Sequence, residues 1–159
     1  MPKVSVIMSV YNSQKFLRTA VESILNQSFQ DFEFIIVNDG STDMSLNILK
    51  NYNGPRIKVI ENRCNVGLTR SLNMAIRYSQ GEYIARMDAD DIALPQRLQR
   101  QVEFLDEHQE VGLVGTSFFE IDEEGRIIGK VILPVKCDMK SLIRFNPIFH
   151  ASIMMRREI

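Results

Sequence analysis

Short β-branched runs alternate with stretches of helical periodicity along the first two thirds of the chain. The runs predict four buried strands, at Lys3–Val10, Phe32–Asn38, Arg56–Glu61 and Tyr83–Met87. The apolar spacing between them predicts helices from an N-cap at Asn12-Ser13 to Leu25, from about Thr42 to Tyr52, from Leu68 to near Gly81, and from Pro95 to about His108. Such repeats indicate an α/β fold with a mostly parallel central sheet flanked by helices.

The pattern changes in the last third of the chain, where a small antiparallel element is expected. Gly112–Ile121 and Arg126–Leu133 flank a turn and predict an antiparallel pair. A short helix near Asp138–Phe145 and a strand near Ala151–Arg156 follow. With 159 residues and no repeat or linker, we expect residues 1–159 to form one domain.

Composition and charge narrow the function classes. The chain is 45% hydrophobic and 25% charged, which is typical of a soluble globular protein. A formal net charge of −1 argues against a nucleic-acid coat but allows a small charged ligand at one place. Cys64 and Cys137 form no disulfide framework, which favours a reducing, cytoplasmic setting. No apolar run approaches the roughly 20 residues of a membrane span, and the start does not resemble a secretory signal.

Polar residues follow the predicted strands at the points where those strands end. In an open α/β sheet, ligands bind at the carboxyl ends of the strands, so these segments are expected to converge at one edge. Four segments qualify: Val10–Asn12, Asn38–Ser41, Asn62–Arg70 and Asp88–Asp91. Their convergence carries more weight than any one motif.

The acidic cluster at the end of the fourth strand is the most informative segment. Asp88 and Asp90 are two residues apart, so in extended backbone they point the same way, and Asp91 follows directly. Neighbouring carboxylates repel one another unless a cation or proton intervenes, and oxygen ligands suit Mg²⁺ or Mn²⁺. The alternative is a solvated loop in which Asp91 caps the next helix.

The other candidates are weaker when taken singly. Asp39 can accept hydrogen bonds from a base or a ribose, or belong to an ordinary turn with Thr42 capping the next helix. Tyr11 can stack on a nucleobase and Asn12 can donate to it, or both can be ordinary loop residues. Arg70 offers a guanidinium for phosphate, although a solvated cation is the commoner case.

Several other chemistries have little support. No G-x-G-x-x-G follows the first strand, and the glycines near Lys130 are too close together for a P-loop. The chain has only two histidines. We expect His108 to be solvated at a helix end and His150 to be structural or, as an alternative, a ligand. Arg86, within a strand, can pair with an acidic loop residue.

Five segments, taken in order, closely resemble glycosyltransferase family 2, whose members have the GT-A fold with its Rossmann-like nucleotide-binding sheet. The segments are Val4–Asn12, Ser23–Phe29, Val37–Asp43, Asn65–Leu68 and Met87–Ile92. The resemblance implies a nucleotide-diphospho-sugar donor, a divalent cation and inversion at the anomeric carbon.

The resemblance also implies roles for individual positions. Tyr11 and Asp39 would contact the base, with Arg70 near the base or the pyrophosphate. Asp88 would face the ribose or the sugar, completing a donor-binding set that also contains Asn12.

For the cation, the resemblance implies Asp90 as the main ligand, with Asp88 and Asp91 beside it. The family's carboxylate base lies beyond a segment like His150–Arg157, so it is expected past Ile159. The chain is therefore expected to lack the acceptor-binding part that usually follows.

Three hypotheses follow for the function. The first is transfer of a hexose from a nucleotide sugar, with UDP-sugar favoured, to a saccharide or lipid-linked saccharide, for a cell-surface polysaccharide. The second is a nucleotide-sugar-binding module without catalysis, and the third is a nucleotidyltransferase, although no triphosphate loop is present. The sequence also allows peripheral association with the inner face of the membrane. A homo-oligomer is a further alternative, because apolar sequence at Leu142–Phe149 and Ile153–Met155 could mediate association if it is exposed.

Overall fold

A computed structural model describes residues 1–134 and 148–158. Four consecutive β–α units come first, as the periodicity predicts. The strands are β1 Val4–Val10, β2 Phe32–Asn38, β3 Ile57–Glu61, β4 Tyr83–Met87, β5 Leu113–Val114, β6 Phe118–Ile121, β7 Ile127–Val131 and β8 Met154–Arg156. The helices are α1 Leu17–Leu25, α2 Ser45–Leu49, α3 Leu68–Tyr78 and α4 Arg97–Glu107, with a 3₁₀ helix at His150–Ser152.

The main sheet has six strands in the order β3-β2-β1-β4-β8-β5. The first four strands along the chain pair in parallel, and β8 pairs antiparallel with both β4 and β5. Each parallel crossover carries a helix, which is the connection that parallel strands need. The expected α/β architecture is therefore confirmed, and the expected small antiparallel element is present as the separate pair of β6 and β7.

Helices cover both faces of this sheet. On one face α1, α2 and α4 pack against Val6, Met8 and Phe34, which are fully buried. On the other face α3 packs against Ile7 and Ile35. Because both faces are covered, β1, β2 and β4 carry buried apolar side chains on both faces, as expected for a parallel sheet, with single polar residues such as Ser5 and Arg86 among them.

Three helices begin later than predicted. The Ser13 hydroxyl donates to the Tyr11 carbonyl instead of capping α1, which starts at Leu17. The Thr42 N–H donates to the Asn12 side chain, so α2 is only Ser45–Leu49. Turns occupy the residues just before α1, α2 and α4. The predicted cap Ser13 and the alternative caps Thr42 and Asp91 therefore do not start helices.

The long strand predicted at Gly112–Ile121 is wrong, because it is two strands in different sheets. Leu113 and Val114 pair with Met155 and Met154 in the main sheet. After a break, β6 pairs antiparallel with β7 in a separate two-stranded sheet. The Ser152 hydroxyl accepts a hydrogen bond from the N–H of Thr116 at the break, at 2.9 Å, and this long-range contact has no local sequence signal.

Two other expectations concern the C-terminal part of the chain. The helix predicted near Asp138–Phe145 lies outside the described residues, and so does Cys137. The predicted strand at Ala151–Arg156 is shorter, since residues 151 and 152 belong to the 3₁₀ helix. Among the described residues, no helix has the length and apolar character needed to cross a membrane.

Candidate nucleotide-sugar site

The carboxyl ends of β1, β2 and β4 meet at one edge of the sheet. Val10 pairs with Asn38, and the Asp39 N–H donates to the Val10 carbonyl at 2.7 Å. The Asn62 N–H donates to the Asn38 carbonyl at 2.9 Å, which brings in the segment after β3. Met87 pairs with Met8, so the acidic cluster follows at the same edge. The predicted convergence of the four polar segments is confirmed.

Asp39 is the centre of a buried hydrogen-bond network at this edge. Its side chain is 1% exposed. One carboxylate oxygen accepts from Asn62 Nδ2 at 2.8 Å and from the Val66 N–H at 2.9 Å, while the other accepts from the Gly67 N–H at 2.9 Å. The carboxylate thus ties the end of β2 to the loop that leads into α3.

These hydrogen bonds decide the charge state of Asp39. Burial alone would raise the pKa of its carboxyl group, because a buried charge loses its hydration. The donors on Val66, Asn62, Ser71 and Gly67 outweigh that cost and hold the pKa below its ordinary value. Asp39 is therefore an anion at neutral pH, although it is buried.

The Tyr11–Asn12 segment lies beside the residues that follow β2. Tyr11 is 47% exposed, so its ring is accessible for stacking. Asn12 has a φ of 50°, a left-handed conformation that asparagine tolerates well. Its side-chain oxygen accepts from the Thr42 N–H at 2.8 Å, and its own N–H donates to the Ser41 hydroxyl. Asn12 therefore shapes the turn after β2.

Arg70 lies in the first turn of α3, next to the loop that Asp39 holds. Its side chain is exposed, and within residues 1–134 and 148–158 it forms no ion pair. A cationic guanidinium at this place is available for a phosphate.

The acidic cluster has a different geometry from the predicted one. Residues 89 and 90 form a turn one residue after the end of β4, so the extended backbone that would point Asp88 and Asp90 the same way is absent. Asp88 accepts a hydrogen bond from the buried Arg86 guanidinium at 2.6 Å, which confirms that Arg86 pairs with an acidic loop residue. Asp90 is exposed and Asp91 is half-buried.

The three carboxylates act on one another electrostatically. Burial and the charges of Asp88 and Asp90 raise the pKa of Asp91, with Arg97 and Arg86 acting in the opposite direction. A divalent cation would relieve this repulsion. No three His, Cys, Asp or Glu side chains among the described residues form a ready-made metal site. A cation at this place would therefore have to be held by one or two of these carboxylates together with ligand phosphates, a common arrangement for Mg²⁺.

The sequence did not predict the buried residues whose hydrogen bonds hold the acidic cluster in place. The Arg97 guanidinium donates to the Arg86 carbonyl at 2.6 Å and to the Ile153 carbonyl at 3.4 Å, and burial lowers its pKa to about 10. Gln27 Nε2 donates to the Leu94 carbonyl at 2.9 Å. These contacts join the cluster to α1, α4 and the chain before β8.

The position of Gln27 in the sequence does indicate that its side chain is buried. It is 1% exposed and lies three residues after Ile24, just past the end of α1, where the apolar spacing of that helix would continue. Its side-chain oxygen accepts from the Leu98 N–H at 3.0 Å and so satisfies a free donor at the start of α4. A polar residue at a core-facing position indicates a buried hydrogen bond, although not its partner.

A cavity of about 170 Å³ adjoins the cluster on the α3 face of the sheet, and Arg86 and His150 are among its lining residues. Burial and the nearby Arg86 cation lower the pKa of His150, while Asp88 opposes the shift. His150 is therefore neutral at pH 7. His108 follows α4 and is paired with Glu110 at 3.4 Å, away from this edge.

Comparison with known proteins identifies the family. The family model described as "Glycosyl transferase family 2" matches residues 5–157. EpsE of Bacillus subtilis, named as a glycosyltransferase, is 43% identical over 158 residues, which are 98% of this chain and 56% of that protein. The O-antigen biosynthesis glycosyltransferase WbnJ of Escherichia coli is 31% identical over 98% of this chain and 62% of that protein.

A solved structure shares the fold and extends further than this chain. TarS 1-349 of S. aureus, in complex with UDP-GlcNAc, superposes with a TM-score of 0.75 at 26% identity, over 98% of this chain and 45% of that one. The chain thus spans about half the length of the relatives and structures it matches. With the ordered site segments, the family match and the shared fold in agreement, the chain belongs to glycosyltransferase family 2.

Proposed function

We propose that residues 1–159 are the donor-binding domain of a glycosyltransferase that moves a hexosyl group from a UDP-sugar to a saccharide or lipid-linked saccharide. The observation that carries the proposal is the common sheet edge, where buried, anionic Asp39 and the exposed Asp90 flank the end of β1. This edge offers hydrogen-bond acceptors at one end and cation ligands at the other, as a nucleoside diphosphate requires.

The base and ribose occupy the Asp39 side of the edge in this proposal. The Tyr11 ring stacks on the base, since it is accessible. Both Asp39 oxygens already accept hydrogen bonds, but a carboxylate can accept about four, so capacity remains for a base N–H. Asn12 acts by shaping the turn beneath the base, and Arg70 binds the diphosphate or the base.

The diphosphate and the cation occupy the Asp88–Asp91 side. Asp90 is the main cation ligand because its carboxylate is exposed, and Asp91 lies beside it. Asp88 is held by Arg86 and faces the ribose or the sugar. A bound Mg²⁺ or Mn²⁺ supplies positive charge to the departing diphosphate.

Transfer with inversion is a single displacement at the anomeric carbon. The acceptor oxygen forms a bond to that carbon as the bond to the β-phosphate oxygen breaks, and the electron pair of that bond leaves with the diphosphate. The acceptor proton goes to a carboxylate base. The chain itself orients the donor so that its anomeric carbon is open on the side opposite the diphosphate.

The cellular role follows from the same proposal. WbnJ is named for O-antigen biosynthesis, which supports a role in making a cell-surface polysaccharide. Nucleotide sugars are cytoplasmic substrates, so we place the protein in the cytoplasm, with peripheral association at the inner face of the membrane where a lipid-linked acceptor is used.

Isothermal titration calorimetry with UDP, with and without Mn²⁺, tests the proposal. We expect UDP binding to strengthen with Mn²⁺ and to weaken about tenfold or more in Asp90→Asn, which loses a charged ligand. Asp31→Asn, at an exposed acidic position just before β2, is the matched control and should bind as the wild type does. Absence of UDP binding, or equal binding by Asp90→Asn, contradicts the proposal.

A second measurement separates transfer from binding alone. A transferase domain releases free sugar from a UDP-hexose slowly, by transfer to water, or transfers it to an added acceptor. Tight binding with no turnover, with or without an added acceptor, would favour the non-catalytic binding module.

A further inference from the structure

The cavity beside the acidic cluster has mostly apolar walls. It lies between α3 and the segment from the 3₁₀ helix to β8, over the sheet, and holds about 170 Å³. Ile7, Leu72, Ile84 and Met155 form much of its lining. A water occupies about 10–15 Å³ of such a volume, so the cavity accommodates a group of several heavy atoms.

Arg86 is one of the residues that line this apolar cavity, and it carries a buried hydrogen-bond donor. The residue is 4% exposed, and one of its terminal nitrogens donates to Asp88 at 2.6 Å. Its Nε–H has no hydrogen-bond partner among the described residues. A buried donor without a partner is costly, and such groups in native proteins usually have a ligand or water as partner.

The chemistry of the cavity excludes two kinds of occupant. A second anion is disfavoured because the Arg86 charge is already paired with Asp88. A ring with many hydroxyls is disfavoured because each buried hydroxyl needs a partner, and most of the lining is apolar. A small neutral acyl group has the required features, since its carbonyl oxygen accepts one hydrogen bond and its methyl group contacts apolar walls.

We propose that this cavity binds the acetamido group of a donor N-acetylhexosamine, with the Arg86 Nε–H donating to the amide carbonyl. The inference rests on the proposed function, because Asp88, on the donor side of the site, is one hydrogen bond from Arg86. Arg86 is then a specificity-determining residue: it holds Asp88 with one nitrogen and the acyl group of the sugar with another.

Calorimetric titrations with UDP, UDP-glucose and UDP-N-acetylglucosamine, all with Mn²⁺, test the inference. The two sugars differ at the acetamido group, so the ratio of their affinities isolates its contribution. We expect the wild-type chain to bind UDP-N-acetylglucosamine about tenfold more tightly than UDP-glucose, from one hydrogen bond and one buried methyl group.

Two variants and one control test whether the cavity is the source of that preference. Thr69 lines the cavity but is exposed, so Thr69→Phe fills the cavity entrance without disturbing the core. It should bring the affinity ratio close to one while UDP still binds. Arg77→Phe, at an exposed position of the same helix away from the cavity, should keep the ratio. Arg86→Lys keeps a cation beside Asp88 but removes the Nε–H, and should also bring the ratio close to one.

The outcomes distinguish the two proposals. If UDP does not bind, the proposed function is wrong and this inference fails with it. If UDP binds but the wild-type chain has equal affinity for both sugars, only the acetamido site is wrong. A preference that survives in both Thr69→Phe and Arg86→Lys also overturns it, because the cavity would then not be its source.

Discussion

At the scale of single residues, Asp39, which we propose as a binding residue, also has a structural role. An aspartate that binds a ligand at a strand end is expected to have free carboxylate oxygens. Each Asp39 oxygen, however, already accepts a hydrogen bond from a backbone N–H, one from Val66 and one from Gly67. The carboxylate therefore orders the loop before any nucleotide arrives. Such preorganisation lowers the entropy lost on binding, because the loop is already in place.

Replacing Asp39 by Asn is expected to destabilise the fold by about 1–3 kcal/mol, because an amide NH₂ cannot accept the N–H bonds that one of the oxygens receives. Chemical denaturation at pH 7 measures the loss. Asp31→Asn, at an exposed position, serves as the control and should change stability by less than about 0.5 kcal/mol. Equal stability of the two variants would contradict the role given to the Asp39 network.

The same residue predicts how stability depends on pH. The pKa of Asp39 is lower in the folded chain than its unfolded value of about 3.9, so its contribution is fully present above that value. The contribution is lost as the pH falls below about 4 and through the folded pKa. In Asp39→Asn the loss of stability between pH 5 and pH 2 should be smaller than in the wild type.

At the scale of elements, the site depends on how closely the turn after β2 approaches the loop before α3. Gly40 has a φ of +66°, and a Cβ there would lie 2.5 Å from the Cys64 carbonyl carbon. No side chain fits between these two backbone segments. The glycine is therefore required by close packing as well as by its conformation.

Gly40→Ala is expected to push the Asn62–Gly67 loop away from β2 and to weaken UDP binding at least tenfold, with a lower melting temperature. Gly54→Ala is the matched control, since a Cβ there meets nothing within 4 Å and its φ is not in the left-handed region. Calorimetry and thermal unfolding of both variants check this. If Gly40→Ala binds UDP like Gly54→Ala, the loop does not shape the site.

The elements also show what could be predicted from the sequence. The four β–α units followed from local periodicity, and the site segments followed from the ends of their strands. The division of Gly112–Ile121 into β5 and β6 could not be predicted, because it depends on pairing with Met154 and Met155 some 40 residues later. Likewise, the pattern marks Gln27 as buried and polar but cannot say that its partners are Leu94 and Leu98.

At the scale of the whole molecule, a formal charge of −1 conceals an uneven distribution. Three carboxylates of the Asp88–Asp91 segment lie at one sheet edge, and Arg86 and Arg97 lie buried directly beneath them. The arginines hold the cluster in place, while exposed Asp90 remains available to a cation. This arrangement is the one that the proposed function requires, in which an anionic ligand binds together with a cation.

The most direct test of this account is the position of Mn²⁺ in crystals of the chain grown with UDP, measured by anomalous scattering. The account predicts one strong peak within coordination distance of an Asp90 carboxylate oxygen and of UDP phosphate oxygens, with the uracil beside Asp39. A manganese ion away from Asp88–Asp91, or UDP bound elsewhere than at the ends of β1, β2 and β4, would contradict it.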